Sequence, residues 1–347
     1  MQSTYLLPPG IHSPEQTTRP RDMFAPVARL AGLAPQYIER LSQIRSLHLA
    51  ENTPPSELAL SAAITCIDQS SLNAADIDLI IMGSVYKDMA EPATSARVSK
   101  QFAEHYDLPV GPAFFDVQNA CNGVFSAIQI ADGLVRTGAY NHVLIVSGET
   151  GDAATRAATE AITAFAETGD DPHGLGPDIS NHVRHYAACY TLGSIGAATV
   201  VSAQPTDHSL ELMGIKMAAD SNSAELCILA SQEHPLVVDP PMLLEVAAPF
   251  AIASFKAFMR ERNNSIESLE HLFVHQPSKS TIADYSAGLG YPIEKIVETV
   301  TRFGNVITCS TLLGWDCVSQ GLRSGDLVGA NIVGSGISSG SLLLRCV

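Results

Sequence analysis

Ala113-Phe-Phe-Asp-Val-Gln-Asn-Ala-Cys-Asn-Gly-Val-Phe-Ser126 is the stretch on which the fold turns. Its first six residues, 113–118, have the short apolar character of a strand. From Val124 onward, Ile128, Ala131, Leu134 and Val135 recur at helical spacing until Gly138 closes the run. Cys121 stands at the junction, with Gly123 loosening the turn behind it. A thiol there faces the unpaired N–H groups and the positive end of a helix, which favour thiolate over thiol. Most free cysteines are small buried core residues. The strand-to-helix junction, with Asn and Gly flanking the thiol, favours a nucleophile.

Working outward, a helix is expected over 56–70 and an apolar strand over 77–83. A loop (84–92), a helix (93–105) and, beyond the Cys121 helix, a strand at 142–147 follow. Alternation at this spacing predicts an α/β fold with right-handed crossovers and helices packed on a buried sheet. The order recurs in the second half. Leu269–His275 parallels 77–83, Asn305–Gly325 parallels the helix after Cys121, and 327–333 parallels 142–147. Two halves are therefore expected, 1–190 and 191–347. The Pro- and Thr-rich first 25 residues are expected to form an irregular arm. Residues 149–190 are expected to form a helix and a flexible, lid-like excursion.

The 347 residues carry 46% hydrophobic and 16% charged side chains, enough apolar material for a large interior. A net charge of −16 argues against nucleic acid or an anionic membrane as partner. Seven cysteines without a CxxC pair suit reduced thiols in a cytoplasmic protein. Met1 to Gly10 lacks the pattern of a secretory signal, and no uninterrupted apolar run approaches the roughly 20 residues of a membrane span.

Three further elements lie at turns of the second half. His275 ends an apolar strand and precedes Gln-Pro-Ser, Asn305 follows Phe303-Gly304, and Gly334-Ser-Gly-Ile-Ser-Ser-Gly340 is a glycine-rich turn. Each alone is ordinary. The glycine-rich turn has no Lys, so a phosphate loop is not expected. Together with Asp-Val-Gln-Asn-Ala-Cys-Asn-Gly around Cys121, however, Val-His-Gln-Pro-Ser, Phe-Gly-Asn-Val and this turn resemble ketosynthase III of the thiolase superfamily over roughly residues 56–347.

The resemblance implies a five-layered αβαβα thiolase fold of two duplicated halves, acting as a homodimer on acyl-CoA or acyl carrier protein thioesters without a cofactor. Cys121 would be the acylated nucleophile, and His275 and Asn305 would hydrogen-bond the carbonyl of the second substrate. The backbone N–H of Cys121 and one near Gly336 would form the oxyanion hole. Ser278 replaces the family's usual Asn after His-Gln, and the turn Leu192-Gly-Ser-Ile-Gly-Ala lacks a customary acid.

Where fatty-acid ketosynthases carry an aromatic residue before Pro, this chain has Glu91-Pro92. A carboxylate there resembles olefin-biosynthesis thiolases and α-pyrone-forming ketosynthases, in which it deprotonates an acyl α-carbon across the dimer. The ordinary alternative is a solvated loop acid. The function implied is Claisen condensation of two acyl thioesters without decarboxylation. Decarboxylative extension with malonyl carrier protein and O- or N-acyl transfer are the rivals. Lys256, Arg260, Arg262 and Lys279 are candidates for a carrier or coenzyme A phosphate patch, or for a solvated helix face. His182, His185 and Cys189 share a spacing suited to a metal, but no fourth ligand is evident, and no metal is expected.

Overall fold

A computed structural model describes residues 2–347, apart from the side chain of Pro241; Met1, where the signal motif was sought, lies outside it. Ten strands form one mixed sheet: β1 (Tyr5–Leu6), β2 (Gly10–His12), β3 (Leu79–Met82), β4 (Ala113–Asp116), β5 (His142–Glu149), β6 (Ile195–Ser202), β7 (Leu210–Ala219), β8 (Leu269–Val274), β9 (Leu327–Gly334) and β10 (Ser338–Cys346). Their path is β8-β9-β10-β7-β1-β6-β5-β3-β4, with β2 paired to β6.

The duplication is written in this path. β3 lies parallel to both β4 and β5, and β5 is antiparallel to β6. In the second half β8 is parallel to β9, β9 is antiparallel to β10, and Leu272 forms a parallel bridge with Ile296 where β4 would stand. The period of two in strands then sorts side chains into layers. Leu79 and Ile81 join a core built on helices α3 (Gly123–Arg136) and α7 (Ser310–Val318), which also takes Val328, Ala330 and Leu342 of the other half. Ile80 and Met82 point the opposite way, onto α1 (Pro55–Asp68) and α2 (Thr94–His105). Leu272 and Val274 face α5 (Pro240–Glu261) and α6 (Ser280–Leu289). Helix, sheet, helix, sheet and helix are stacked, a five-layered αβαβα architecture.

The N-terminal segment departs from the expected irregular arm. β1 is wedged between β6 and β7 and joins the two halves of the sheet. Leu6 and Leu7 face opposite cores and are buried. A helix follows at Pro20–Leu30, with Pro at its start, where a missing N–H costs nothing. Residues 149–190 depart too. They form α4 (Gly151–Thr168) and a second helix, Ile179–Tyr186, and Ala154, Ile162 and Tyr186 pack with Phe24 and Val27. The turn between these helices is pinned by the Asp171 carboxylate, which accepts from Leu175 N–H (2.9 Å) and Gly176 N–H (2.8 Å). Phe165 stacks on His182 at 3.7 Å, His182 Nε2 bonds the Gly176 carbonyl, and Cys189 donates to the Leu236 carbonyl.

One helical stretch, Met242–Glu261, is apolar and long enough to cross a bilayer by length and composition, with mean hydropathy 1.5. Glu245, Lys256 and Arg260 break it into shorter runs in the sequence. Its apolar residues have two uses. Ala251, Phe255, Phe258 and Met259 enter the core, and Leu243, Ala247 and Ala248 line a cavity.

Candidate active site

That cavity, about 420 Å³, is where the singled-out residues meet: Cys121, His275 and Asn305 all lie on its wall. Ala120 brings Cys121 there by adopting φ +43°, a left-handed conformation that costs a non-glycine residue about 1–3 kcal/mol. Helix α3 starts at Gly123, whose role is a close approach to β3. A Cβ on Gly123 would lie 2.8 Å from the Gly83 carbonyl oxygen, and one on Gly83 would lie 2.5 Å from the Gly123 carbonyl carbon. Asn122 ties the turn to the other half, donating to the Ser338 carbonyl (2.9 Å) and hydroxyl (3.0 Å).

His275 is buried, and its N–H donates to the Asn331 carbonyl at 3.1 Å. Gln276 binds its loop to the segment before Asn305, accepting from Thr299 and Val300 N–H and donating to the Val297 carbonyl. Asn305 is held by Thr191 and Gly193 through its own N–H and carbonyl. Its Oδ1 accepts from Ile307 N–H at 3.0 Å, an assignment made by the hydrogen-bond network, so Nδ2 is left to donate into the cavity. Ile307 is a second strained residue, with φ +52°.

Burial pulls the His275 imidazole down to about 4, so it is neutral at physiological pH, and its Nδ1 has no protein partner. Burial also pushes the Cys121 thiol well above its ordinary range, with Cys227 and Glu149 adding to the effect and its own backbone N–H opposing it. The expected preference for thiolate at a helix N-terminus is therefore outweighed, chiefly by desolvation. Glu149 itself escaped the sequence patterns. It ends the apolar strand β5 and is fully buried, with desolvation raising its carboxyl to about 7 against hydrogen bonds from Thr308, Val85 and Tyr86. An acid at the end of an otherwise apolar strand was the available signal.

The remaining candidates divide. Glu91 is exposed and does not line the cavity. Its loop lies beside edge strand β4, because Asp116 accepts from Thr94 and Ser95 N–H at 2.9 and 3.0 Å. Gly334 and Ser335 of the glycine-rich turn line the cavity, and Gly336, with φ +77°, follows them in the same turn. A Cβ on Gly334 would lie 3.1 Å from the Cys121 nitrogen, so that stretch of the turn faces the nucleophile. Lys256 and Arg260 are exposed about 12 and 18 Å along α5 from the cavity-lining Ala248. Arg262 packs its guanidinium over Phe258 at 5.6 Å. These three do not gather at the cavity. Lys279 stands between Pro277 and Thr281 of the wall and pairs with Glu298 at 3.3 Å. Backbone bonds from Lys279 to Ser42 and from Arg45 to Thr301 bring the loops of Arg45 and Arg302 beside it, a grouping too scattered in sequence to be foreseen.

Residues 115–165 match the family model for 3-oxoacyl-[acyl-carrier-protein (ACP)] synthase III, and residues 259–346 match the model for its C-terminal part. The chain is 25% identical over 333 residues to the β-ketoacyl-[acyl-carrier-protein] synthase III of Neisseria meningitidis serogroup A, covering 92% of this chain and 93% of the relative. It is 25% identical over 350 residues to that of Xanthomonas campestris pv. campestris, covering 97% and 96%. Among solved structures, Xanthomonas campestris OleA with bound lauric acid and lauroyl-CoA superposes with a TM-score of 0.87 at 20% identity, covering 99% of each chain. FabH from Pseudomonas aeruginosa PAO1 superposes with 0.79 at 20% identity, covering 99% and 98%. These superpositions carry the fold, a thiolase-type one, and the paired family models make both the stretch around Cys121 and the C-terminal part of the chain similar to 3-oxoacyl-[acyl-carrier-protein] synthase III, a condensing enzyme.

Proposed function

We propose that this protein condenses two acyl thioesters through an acyl-Cys121 intermediate, without decarboxylation and with no cofactor. Neutral His275 accepts the Cys121 proton as the thiol attacks the first thioester. Backbone N–H groups of Cys121 and Ser335 receive the oxyanion, where one such donor is worth about 10²–10³ in rate. The apolar wall takes the acyl chain, and binding of lauroyl-CoA by OleA supports a long one. Lys279, Arg45 and Arg302 supply a patch for the phosphates of coenzyme A or a carrier protein. His275 and the Asn305 amide then polarise the carbonyl of the second thioester as its α-carbon loses a proton.

The observation that carries the non-decarboxylative reading is the placement of Glu91. It is an exposed carboxylate beside an edge strand that lies open, Phe114 being 47% and Val110 78% exposed. A second copy pairing on β4 would cover these residues and carry each Glu91 toward the neighbour's cavity, which makes the homodimer part of the proposal. Decarboxylation would supply the carbanion by itself and need no base, and a fixed carboxylate would repel a malonyl group. Incubation with acyl-CoA alone, and with malonyl-CoA or malonyl carrier protein added, separates the two by mass spectrometry of products. Condensed product from acyl-CoA alone is expected; product only when a malonyl donor is present would overturn this reading in favour of the decarboxylative one.

A further inference from the structure

Glu149 is the only acidic residue buried as a whole among those described, and unlike the buried carboxylate of Asp88, which pairs with Arg97, it has no cationic partner; burying such a carboxylate costs several kcal/mol unless its surroundings repay it. Its surroundings are specific. Oε1 accepts from Val85 N–H at 3.0 Å and from the Thr308 hydroxyl at 2.5 Å, and Oε2 accepts from Tyr86 N–H at 3.2 Å. Val85 and Tyr86 begin the loop that leads to Glu91, and Thr308 lies three residues beyond Asn305 in the strained turn that carries it. The Thr308 hydroxyl is itself bonded to the Ser147 hydroxyl at 2.6 Å, fixing it to the same strand as Glu149. From the cavity side, Gln232 accepts from Lys87 N–H and donates to the Val85 carbonyl, both at 3.3 Å. The loop entering toward Glu91 is thus gripped from two sides, and Glu149, with the Ser147 hydroxyl beside it bonding both Ser84 and Thr308, also grips the Asn305 turn.

We propose that Glu149 is a positioning residue for the condensation half-reaction, one carboxylate that sets both the Asn305 turn of its own cavity and the loop that presents Glu91 to the neighbour's. It deepens the condensing function proposed above and rests on it. Acylation of Cys121 uses neither element, so Glu149 acts after loading. A displacement of about 1 Å at either element is enough to cost about 10² in rate.

Glu149→Gln keeps size but places an amide donor against a backbone N–H or the Thr308 hydroxyl. It is expected to load Cys121 from acyl-CoA within about threefold of wild type, read as coenzyme A released in a single-turnover burst. Its kcat for condensed product is expected to fall about 10²-fold with KM nearly unchanged, and Glu149→Asp to recover part of the loss. Residues that act through one another are non-additive, so Glu149→Gln should cost less than about threefold further in a Glu91→Gln or an Asn305→Ala background. Should Glu149→Gln not fold, Thr308→Val breaks the same link from the other side and is expected to give the same split. Equal losses in loading and condensation, or full multiplicative losses in both double variants, would overturn the proposal. Normal condensation by Glu91→Gln alone would instead overturn the function proposed for Glu91, and the Asn305→Ala background would still decide on Glu149.

Discussion

The two strand-to-helix turns related by the internal duplication are built alike and used differently. In the first, β4 leads through strained Ala120 to Cys121 and helix α3; in the second, the Ile296 bridge leads through Gly304, Asn305 and strained Ile307 to helix α7. The first copy leaves its outer strand open, with Ala113 and Phe114 exposed. In the second, the position of β4 is reduced to one bridge, and Tyr291, Ile296 and Val300 are packed against the α5–α6 layer. One topological unit thus yields a wall with a nucleophile and an open edge, and another yields a wall of hydrogen-bond donors and a closed edge. Strain at the same point of each turn aims a different side chain into the shared cavity.

The difference between the walls is sharpest in which step each removal stops. Cys121→Ala should abolish acylation, seen as loss of the single acyl adduct by intact mass, and with it all product. Persisting full labelling would take the nucleophile away from the first wall. Asn305→Ala should still accept an acyl group while condensation falls by about 10²–10³, and His275→Ala should lose condensation to the same degree and also slow loading, because it takes the Cys121 proton. Near wild-type turnover in either would mean that the second wall does not polarise the second thioester.

The open edge is tested by the partnership it implies. Phe114→Asp places a charge in the expected pairing strand and should convert dimers to monomers in light scattering. Such monomers should load Cys121 and fail to condense. Mixing Glu91→Gln with Cys121→Ala subunits gives heterodimers with one intact site, so exchange should restore up to about a quarter of wild-type activity. No recovery after confirmed exchange would place Glu91 within its own subunit's site or outside the chemistry.

Much of this was legible in the chain because local rules carried it. The 3.6-residue spacing after Val124 gave helix α3, the apolar runs at 77–83 and 142–147 gave β3 and β5, and the repeated order gave the second half. His275 and Asn305 stood out because each followed a strand or a glycine turn. What stayed hidden depended on distant partners. β1 has two residues and exists because β6 and β7 leave a gap that Tyr5 and Leu6 fill. The approach of Gly334 to the Cys121 nitrogen depends on how the two halves meet, which no local pattern shows. Glu149 looked like any acid after a strand. The thiol's acidity could not be read from the chain because helix-end position is local, whereas burial by the assembled fold is not.

The same burial that hid Glu149 sets the smallest effect, a pair of opposed slopes in stability against pH. Glu149, raised in the folded protein from 4.5 to about 7, binds more protons folded than unfolded across that window. Its contribution is fully present below pH 4.5 and is lost as pH rises through 7, by about 3 kcal/mol in all. His275, lowered from 6.5 to about 4, binds fewer protons folded than unfolded. Its contribution is present above pH 6.5 and is lost as pH falls through 4, again by about 3 kcal/mol. Between roughly pH 4.5 and 6.5 the two slopes oppose each other and nearly cancel. Denaturant titrations across this range should therefore show Glu149→Gln gaining stability relative to wild type as pH rises, and His275→Gln losing it. If both variants track the wild-type profile in parallel, the two groups titrate alike in folded and unfolded chains, and their shared desolvation is not the force that sets the site's protonation.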